Sequence, residues 1–401
     1  MREGLNLSAT LEKYRDIAPP GAVDLLYRLS ERVRGRSLLH INSTSRGGGV
    51  AEILRRLIPM FQDLGIETRW EVINGNEEFF NVTKSFHNAL QGKGQPITDE
   101  MFRIYEGCIR ENAENMSLDA DVVVVHDPQP VALVNYRKGG KWAWRCHIDI
   151  SHPVRKIWAF LRGYVAKYDA SIFSLPGFSR RLPHRQFLIY PSIDPLNEKN
   201  RELSEEEVKT ILEKMEISED KPILLQVSRF DRFKDPIGVI QVYREVKKYV
   251  DCQLILAGGE ATDDPEGKGV LAEVMEEAEG DPDIHILVSR EDIEVNALQR
   301  AASVVLQKSI REGFGLTVCE AMWKEKPVVG GRAGGITKQL LHGTTGYLVN
   351  STEGAAFYTR YLLNNPEIAK KIGMNAKEYV RNNFLITRHL ADYLAWMSII
   401  S

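Results

Sequence analysis

Cysteine is scarce in this chain. Its four cysteines, Cys108, Cys146, Cys252 and Cys319, lie far apart. No CxxC pair, zinc-ligand spacing or disulfide framework is present, so a reducing, cytoplasmic compartment is expected. No stretch of about 20 apolar residues occurs, which excludes a membrane-spanning helix. Met1 to Pro20 carries charges throughout and has no apolar segment, so no secretory signal is expected. Neither charge sign dominates: 52 basic against 55 acidic residues leave a net charge of −3. That balance points away from nucleic acid as a partner. Also missing is Gly-x-Gly-x-x-Gly after the first strand, which counts against a nicotinamide-dependent oxidoreductase. With 43% hydrophobic and 27% charged residues the chain has the composition of a folded globular protein rather than a disordered one. At about 100–200 residues per domain, 401 residues make two domains.

The pattern that is present is strand, turn, helix, repeated. Ser37–Asn42 reads as a buried strand, Gly47-Gly48-Gly49 as a turn, and Val50–Leu64 as an amphipathic helix. Thr68–Ile73, Asp121–His126, Trp142–Ile148, Ser171–Leu175 and Phe187–Tyr190 read as further strands, with helical insertion over Glu77–Met116. The polar stretch from Ile193 to Asn200 reads as an interdomain linker. A second alternation follows, with strands Ile223–Val227, Gln253–Ala257, Ile284–Val288, Val304–Gln307 and Val328–Gly330. The expected fold class is α/β: two Rossmann-like doubly wound domains whose strand ends face across a cleft. The first covers residues 1–193 and the second 201–375. The aromatic helical tail, 376–401, comes after the second sheet and is expected to complete the first domain.

Ligands of open α/β sheets sit at the carboxyl ends of strands, so polar residues there are the candidates. The strongest group is Arg311-Glu312-Gly313-Phe314-Gly315-Leu316-Thr317-Val318-Cys319-Glu320, which follows a strand and opens a helix. Gly313 and Gly315 permit close backbone approach. The N–H groups of Leu316 and Thr317 suit an anion, and Glu312 and Glu320, placed on the helix's first turn, suit sugar or ribose hydroxyls. Arg229 and Lys234, five apart after the strand Ile223–Val227, suit a diphosphate as planar fork and point charge. Alone they would read as a solvated basic loop. Gly48 and Gly49 can admit a phosphate or sugar. His126, Asp127 and Gln129 end one strand of the first domain, and His147, Asp149 and His152 end another. Two strand ends rich in His and Asp fit a hydroxyl-rich acceptor pocket better than a zinc site, which needs a tighter ligand set.

These residues resemble a family. Glu312 to Glu320 looks like the Glu-x7-Glu motif of retaining GT-B glycosyltransferases of the type that includes sucrose and glycogen synthases. Arg229 with Lys234 matches its diphosphate clamp, and Gly47–Gly49 its first-domain glycine loop. Within that group, His126 to Pro130 and Trp144-Arg145-Cys146-His147-Ile148-Asp149 are similar to glycosyltransferring trehalose synthases. The resemblance implies that Glu312 and His147 contact the donor sugar, Glu320 the ribose, and Asp149 with the His126 loop the acceptor. It also implies a turn, Ala333-Gly334-Gly335-Ile336, that completes the second domain's side, and a tail helix that crosses to the first domain and carries Phe384 and Trp396 there.

The expected activity is a retaining, reversible transfer of glucose from UDP-, ADP- or GDP-glucose to glucose, giving α,α-trehalose. Retention would be front-face, with the leaving diphosphate helping to deprotonate the incoming hydroxyl. No metal or other cofactor is expected, since Arg229, Lys234 and the helix terminus take a metal's place. Alternatives from the same residues are a trehalose phosphorylase and a non-catalytic nucleotide-sugar sensor. The partners are small sugars and a nucleoside diphosphate, with no nucleic acid or membrane. The base of the nucleotide is left open, and so is assembly as a homodimer.

Overall fold

In the computed structural model, residues 9–45, 48–259 and 266–400 are described. Gly47 of the glycine turn lies outside them. The chain divides into two compact units: one runs up to Ser192 and is joined by the chain from Ile386 onward, the other is Ile193–Leu385.

The first unit is built on a six-stranded parallel sheet: β1 (Ser37–Asn42), β2 (Glu67–Val72), β3 (Val122–His126), β4 (Lys141–Cys146), β5 (Ala170–Phe173) and β6 (Arg185–Leu188), in the order β2-β1-β3-β4-β5-β6. Strands that alternate side chains across a sheet present two faces. Leu39, Ile41, Val123, Val125, Trp142, Trp144 and Cys146 fill a core on one face with Phe79, Phe86 and Tyr105. The opposite face carries His40, His126 and Arg145, all buried. Helix Ile386–Ile400 lies over it, with the Tyr393 ring edge-on to His40 at 5.8 Å. The insertion after β2 is two helices, Glu77–Leu90 and Asp99–Asn115, separated by a segment containing Gly92, Gly94 and Pro96.

The second unit holds β7 (Ile223–Val227), β8 (Gln253–Gly258), β9 (Ile284–Val288), β10 (Val304–Gln307), β11 (Val328–Gly331) and β12 (Tyr347–Val349), all parallel, in the order β12-β11-β10-β7-β8-β9. Read from β9, this is the 3-2-1-4-5-6 order of Rossmann domains, which reverses direction between the first and fourth strands. The switch point therefore lies between β7 and β10. In the first unit the order reverses between β1 and β3.

Three segments differ from the sequence reading. Residues 193–200 are not a solvated linker: Asp194, Asn197 and Asn200 are buried. The Asn296 amide donates to the Glu198 carbonyl at 2.9 Å, and Lys324 Nζ donates to Asn200 Oδ1 at 2.9 Å. Hydrogen-bonded polar residues fold this stretch into the second unit, so the change of unit falls between Ser192 and Ile193. The tail is two helices rather than one. Pro366–Asn383 belongs to the second unit, where Phe384 packs edge-on to Phe314 at 5.5 Å, and only Ile386–Ile400, with Trp396, joins the first. The break has no proline or glycine; the Phe384 carbonyl instead accepts from Ile193 N–H at 2.9 Å, and Leu385 pairs with Ile193 as an isolated bridge. β12 was not anticipated, being three residues long and flanked by Gly346.

Candidate active site

Both strands at the second unit's switch point end in loops rich in charge. After β7, Asp231 Oδ1 accepts from the Phe233 N–H at 2.8 Å and closes a single 3₁₀ turn, Arg232–Lys234. Asp235, at φ 53°, then caps helix Pro236–Lys247 by accepting from Gly238 N–H. The Lys234 carbonyl accepts from the Gln226 amide on β7 at 2.8 Å, and Phe233's carbonyl from Ile310 N–H at 2.8 Å. These bonds tie the β7 loop to the β10 loop and aim Lys234 at Glu312, whose Oε2 is 2.6 Å from Nζ. Ser309 Oγ donates to the same oxygen at 3.2 Å. Arg229 is exposed, with its guanidinium 3.8 Å from Asp231.

Glycine is required where the β10 loop turns into helix Leu316–Trp323. Gly315 sits at φ 84° as the helix N-cap, with no side-chain cap bond. The first-turn N–H groups of Leu316 and Thr317 are thus not covered by a capping side chain. Gly334 lies at φ 42° against the same loop, and a Cβ there would come within 1.7 Å of the Glu312 carbonyl oxygen. Gly335 N–H donates to the Gly313 carbonyl at 3.0 Å, and the Gln339 amide donates to the Phe314 carbonyl at 2.6 Å. The Ala333–Ile336 turn thus braces the Glu312 loop from behind.

Glu320 departs from expectation. It opens the second helical turn rather than lying on the first, and it is buried at 1% exposure. Lys199 Nζ is 3.8 Å from its Oε1. One turn on, the buried Lys324 is pulled below the usual lysine range by burial, opposed by the Glu320 carboxylate. Lys199 and Lys324 were missed in the sequence reading because one lay in the supposed linker and the other looked like a helix-end surface lysine.

In the first unit, β3 and β4 deliver the His/Asp groups side by side, His126 pairing in register with Arg145. Asp127 takes φ 63°, and its carboxylate accepts the His147 N–H at 2.8 Å. Its own carbonyl accepts from the Trp144 indole at 2.9 Å. Burial pushes the Asp127 carboxyl up to about 7, against the pull of that N–H bond and of Arg145. His126 is buried, with Nε2 3.0 Å from His40 Nδ1 and Nδ1 2.9 Å from His147 Nε2. Both ring nitrogens are spent on other histidines, so His126 does not line an acceptor pocket as expected; it stands behind His147. Asp127 likewise holds backbone. Asp149 Oδ1 accepts Ser151 N–H at 2.8 Å and keeps partial exposure, Gln129 is half-buried, and His152 is exposed beside Ser151 Oγ. Gly48 takes φ 78° before helix Gly49–Asp63, with open space where a Cβ would stand. His40 was missed, since a histidine inside the strand Leu38–Ile41 carries no local sign of function. Among the described residues no group of three His, Cys, Asp or Glu is arranged to hold a metal ion, and no helix is long and apolar enough to cross a membrane.

The second unit, whose charged loops lie at the switch point of a Rossmann-like sheet, matches the glycosyltransferase family model "Glycosyl transferases group 1" over residues 207–379. A solved α,α-trehalose-phosphate synthase (UDP-forming) of Burkholderia xenovorans superposes with a TM-score of 0.74 at 13% identity, over 91% of this chain and 100% of that one, which establishes the shared GT-B fold. The chain belongs to the trehalose synthase family: the model "Trehalose synthase, N-terminal domain" matches residues 40–180. It is 49% identical to the trehalose synthase of Pyrococcus horikoshii over 393 residues, 96% of this chain and 95% of that protein. It is 46% identical to that of Rubrobacter xylanophilus, again over 96% and 95%.

Proposed function

We propose that this protein is a retaining glucosyltransferase that transfers glucose from a nucleoside-diphosphate glucose to glucose and forms α,α-trehalose, reversibly. Similarity to trehalose synthases along nearly the whole chain supports the reaction. The observation that carries the site assignment is the Lys234–Glu312 pair at 2.6 Å, set at the switch point beside an uncapped helix terminus.

In this reading the second unit holds the donor's nucleotide. Lys234, Arg229 and the N–H groups of Leu316 and Thr317 receive the diphosphate, and Gly313 and Gly315 admit it. As the bond to the sugar breaks, negative charge grows on the diphosphate, and preorganised donors stabilise it more than they stabilise the substrate. Glu312 contacts the glucose near its reacting carbon. Glu320, steadied by Lys199, accepts from the ribose hydroxyls. In the first unit, His147 donates to the sugar, Asp149, Gln129 and His152 serve the acceptor, and Gly48 and Gly49 let the backbone approach. The leaving diphosphate takes the acceptor's proton on the face it departs from, which retains configuration. The compartment that fits four cysteines held in no disulfide is the cytoplasm.

Calorimetry with UDP-, ADP- and GDP-glucose tests the reading directly. Heat of binding with at least one, and trehalose formed when glucose is added, is expected. Trehalose cleavage that depends on inorganic phosphate and ignores nucleoside diphosphate would assign the chain to the phosphorylases instead.

A further inference from the structure

Three imidazoles form an unbroken hydrogen-bonded row in the first unit. His40, inside β1, has Nδ1 3.0 Å from Nε2 of His126, at the end of β3. His126 in turn has Nδ1 2.9 Å from Nε2 of His147, just beyond β4. Both ring pairs have centroids 5.2 Å apart. That separation is what two ring radii and one N···N hydrogen bond span end to end, so the rings meet along their edges and each bond is nearly in line.

A neutral imidazole has one N–H and one lone pair, so a row of three must run in one direction. The inner end decides which. His40 Nε2 is buried and, among the described residues, has no hydrogen-bond partner. Were the row to run inward from His147, His40 would carry its proton on Nε2 and bury an orphaned N–H, the rarer and costlier defect. Running outward, His40 Nδ1–H donates to His126 and His126 Nδ1–H donates to His147, leaving only a buried lone pair at Nε2. His147 then accepts at Nε2 and carries its proton on Nδ1. Among the described residues no hydrogen bond reaches that nitrogen, while the His147 backbone N–H is pinned by Asp127.

We propose that His40 and His126 are positioning residues that lock His147 in its Nδ1–H tautomer and make it an obligate hydrogen-bond donor to a sugar oxygen. The closed inner end excludes a second use of the row: a proton passed inward has nowhere to leave, so it orients rather than conducts. Charge supports the neutral state. Burial and the nearby Arg145 hold His126 and His147 well below the usual histidine range, and burial alone takes His40 down to about 3. Arg388 on the covering helix adds positive charge, His389 beside it is likewise held neutral by burial, and the nearby Asp127 carboxyl is pushed up to about 7. The donor role of His147 rests on the function proposed above; the tautomer does not.

Two variants test this. His40→Phe keeps an aromatic ring between Phe61 and Tyr393 but removes the donor; His40→Asn restores an N–H where Nδ1 stands. Long-range ¹H–¹⁵N spectra of histidine-labelled protein read the tautomers without any substrate. His126 and His147 should be Nδ1–H in the wild type, mixed or Nε2–H in His40→Phe, and Nδ1–H again in His40→Asn. The kcat for trehalose synthesis should fall about 10-fold or more in His40→Phe, the scale on which partners behind a working ligand matter. It should recover in His40→Asn, with Kd for the nucleoside diphosphate unchanged in both. An Nε2–H His147 in the wild type, or a folded His40→Phe with unaltered tautomers, overturns the proposal; should His40→Phe not fold, the wild-type and His40→Asn spectra decide alone. His147→Ala separates the two readings: full activity there refutes the sugar contact and leaves the tautomer result standing.

Discussion

Lys234 Nζ lies 2.6 Å from Glu312 Oε2, joining the loop that leaves β7 to the loop that leaves β10. The carboxylate is 7% exposed and the lysine side chain 18%, so the pair is largely out of water. It puts one cation and one anion at the switch point of the sheet. In the function proposed above, a diphosphate arriving there would meet Lys234 already oriented, and Glu312 would take hydroxyl hydrogens from the sugar.

Lys234→Ala should therefore harm both catalysis and stability. Loss of one preorganised donor costs about 10²–10³ in kcat. Breaking a fully buried pair costs about 3–5 kcal/mol, and partial exposure here brings that nearer to about 2. Arg229→Ala, at an exposed side chain, should lower kcat/KM and leave the urea midpoint in place. Steady-state kinetics beside urea unfolding separate the two, and equal stability losses would contradict the geometry.

Glu320→Gln should raise the KM for donor more than it lowers kcat, since ribose contacts are alike in the ground and transition states. Lys199→Met should shift donor KM in the same direction, because its Nζ is 3.8 Å from that carboxylate. A collapse of kcat at fixed KM in Glu320→Gln would remove Glu320 from the ribose.

Gly334→Ala should lower the melting temperature and activity together. Its Cβ would stand 1.7 Å from the Glu312 carbonyl oxygen, at a φ of 42° that side chains resist. Gly107→Ala, inside helix Asp99–Asn115 with open space around it, should instead stabilise by about 0.5–1 kcal/mol. Differential scanning calorimetry of the two variants checks the opposite signs.

Stability should fall as pH drops from 7 toward 4. His40, His126, His147 and His389 are all held below the ordinary histidine value by burial. The unfolded chain binds protons at these sites below about 6.5 more readily than the folded one, so their stabilisation is complete above that pH and lost beneath it. Asp127, raised to about 7, works the other way between about 4 and 7 and offsets one of them. Denaturant titrations at pH 7, 6 and 5 should show the slope, and His40→Phe should reduce it by about one proton.

Activity should survive exhaustive EDTA treatment, since in the proposed site Lys234, Arg229 and the helix terminus would balance the diphosphate in place of a divalent cation. Loss that Mg²⁺ or Mn²⁺ restores would overturn a metal-free site.

Periodicity and punctuation made most of the architecture legible. Val122–Val125 could only be a strand buried on both faces, and Gly313 and Gly315 before an apolar helix marked a turn that lets the backbone come close to a ligand. The candidate site was legible where chemistry clusters in sequence, as in Arg229 to Lys234 and Glu312 to Thr317. It was not legible where a polar residue earns its place through a partner far along the chain. His40 and His126 are 86 residues apart, and Lys199 meets Glu320 from a stretch whose polarity reads as solvated.

The amino-acid sequence by itself determined the two doubly wound sheets, the order of their elements and the residues at the strand ends, because hydrophobic period and glycine placement are local properties. Only the tertiary structure decided that the tail breaks at Phe384, that residues 193–200 fold into the second unit, and that His126 spends its ring nitrogens on His40 and His147. The reason is the same in each case. A buried carbonyl, amide or imidazole must find a partner, and which partner it finds depends on what the sheet brings beside it, not on its neighbours in the chain.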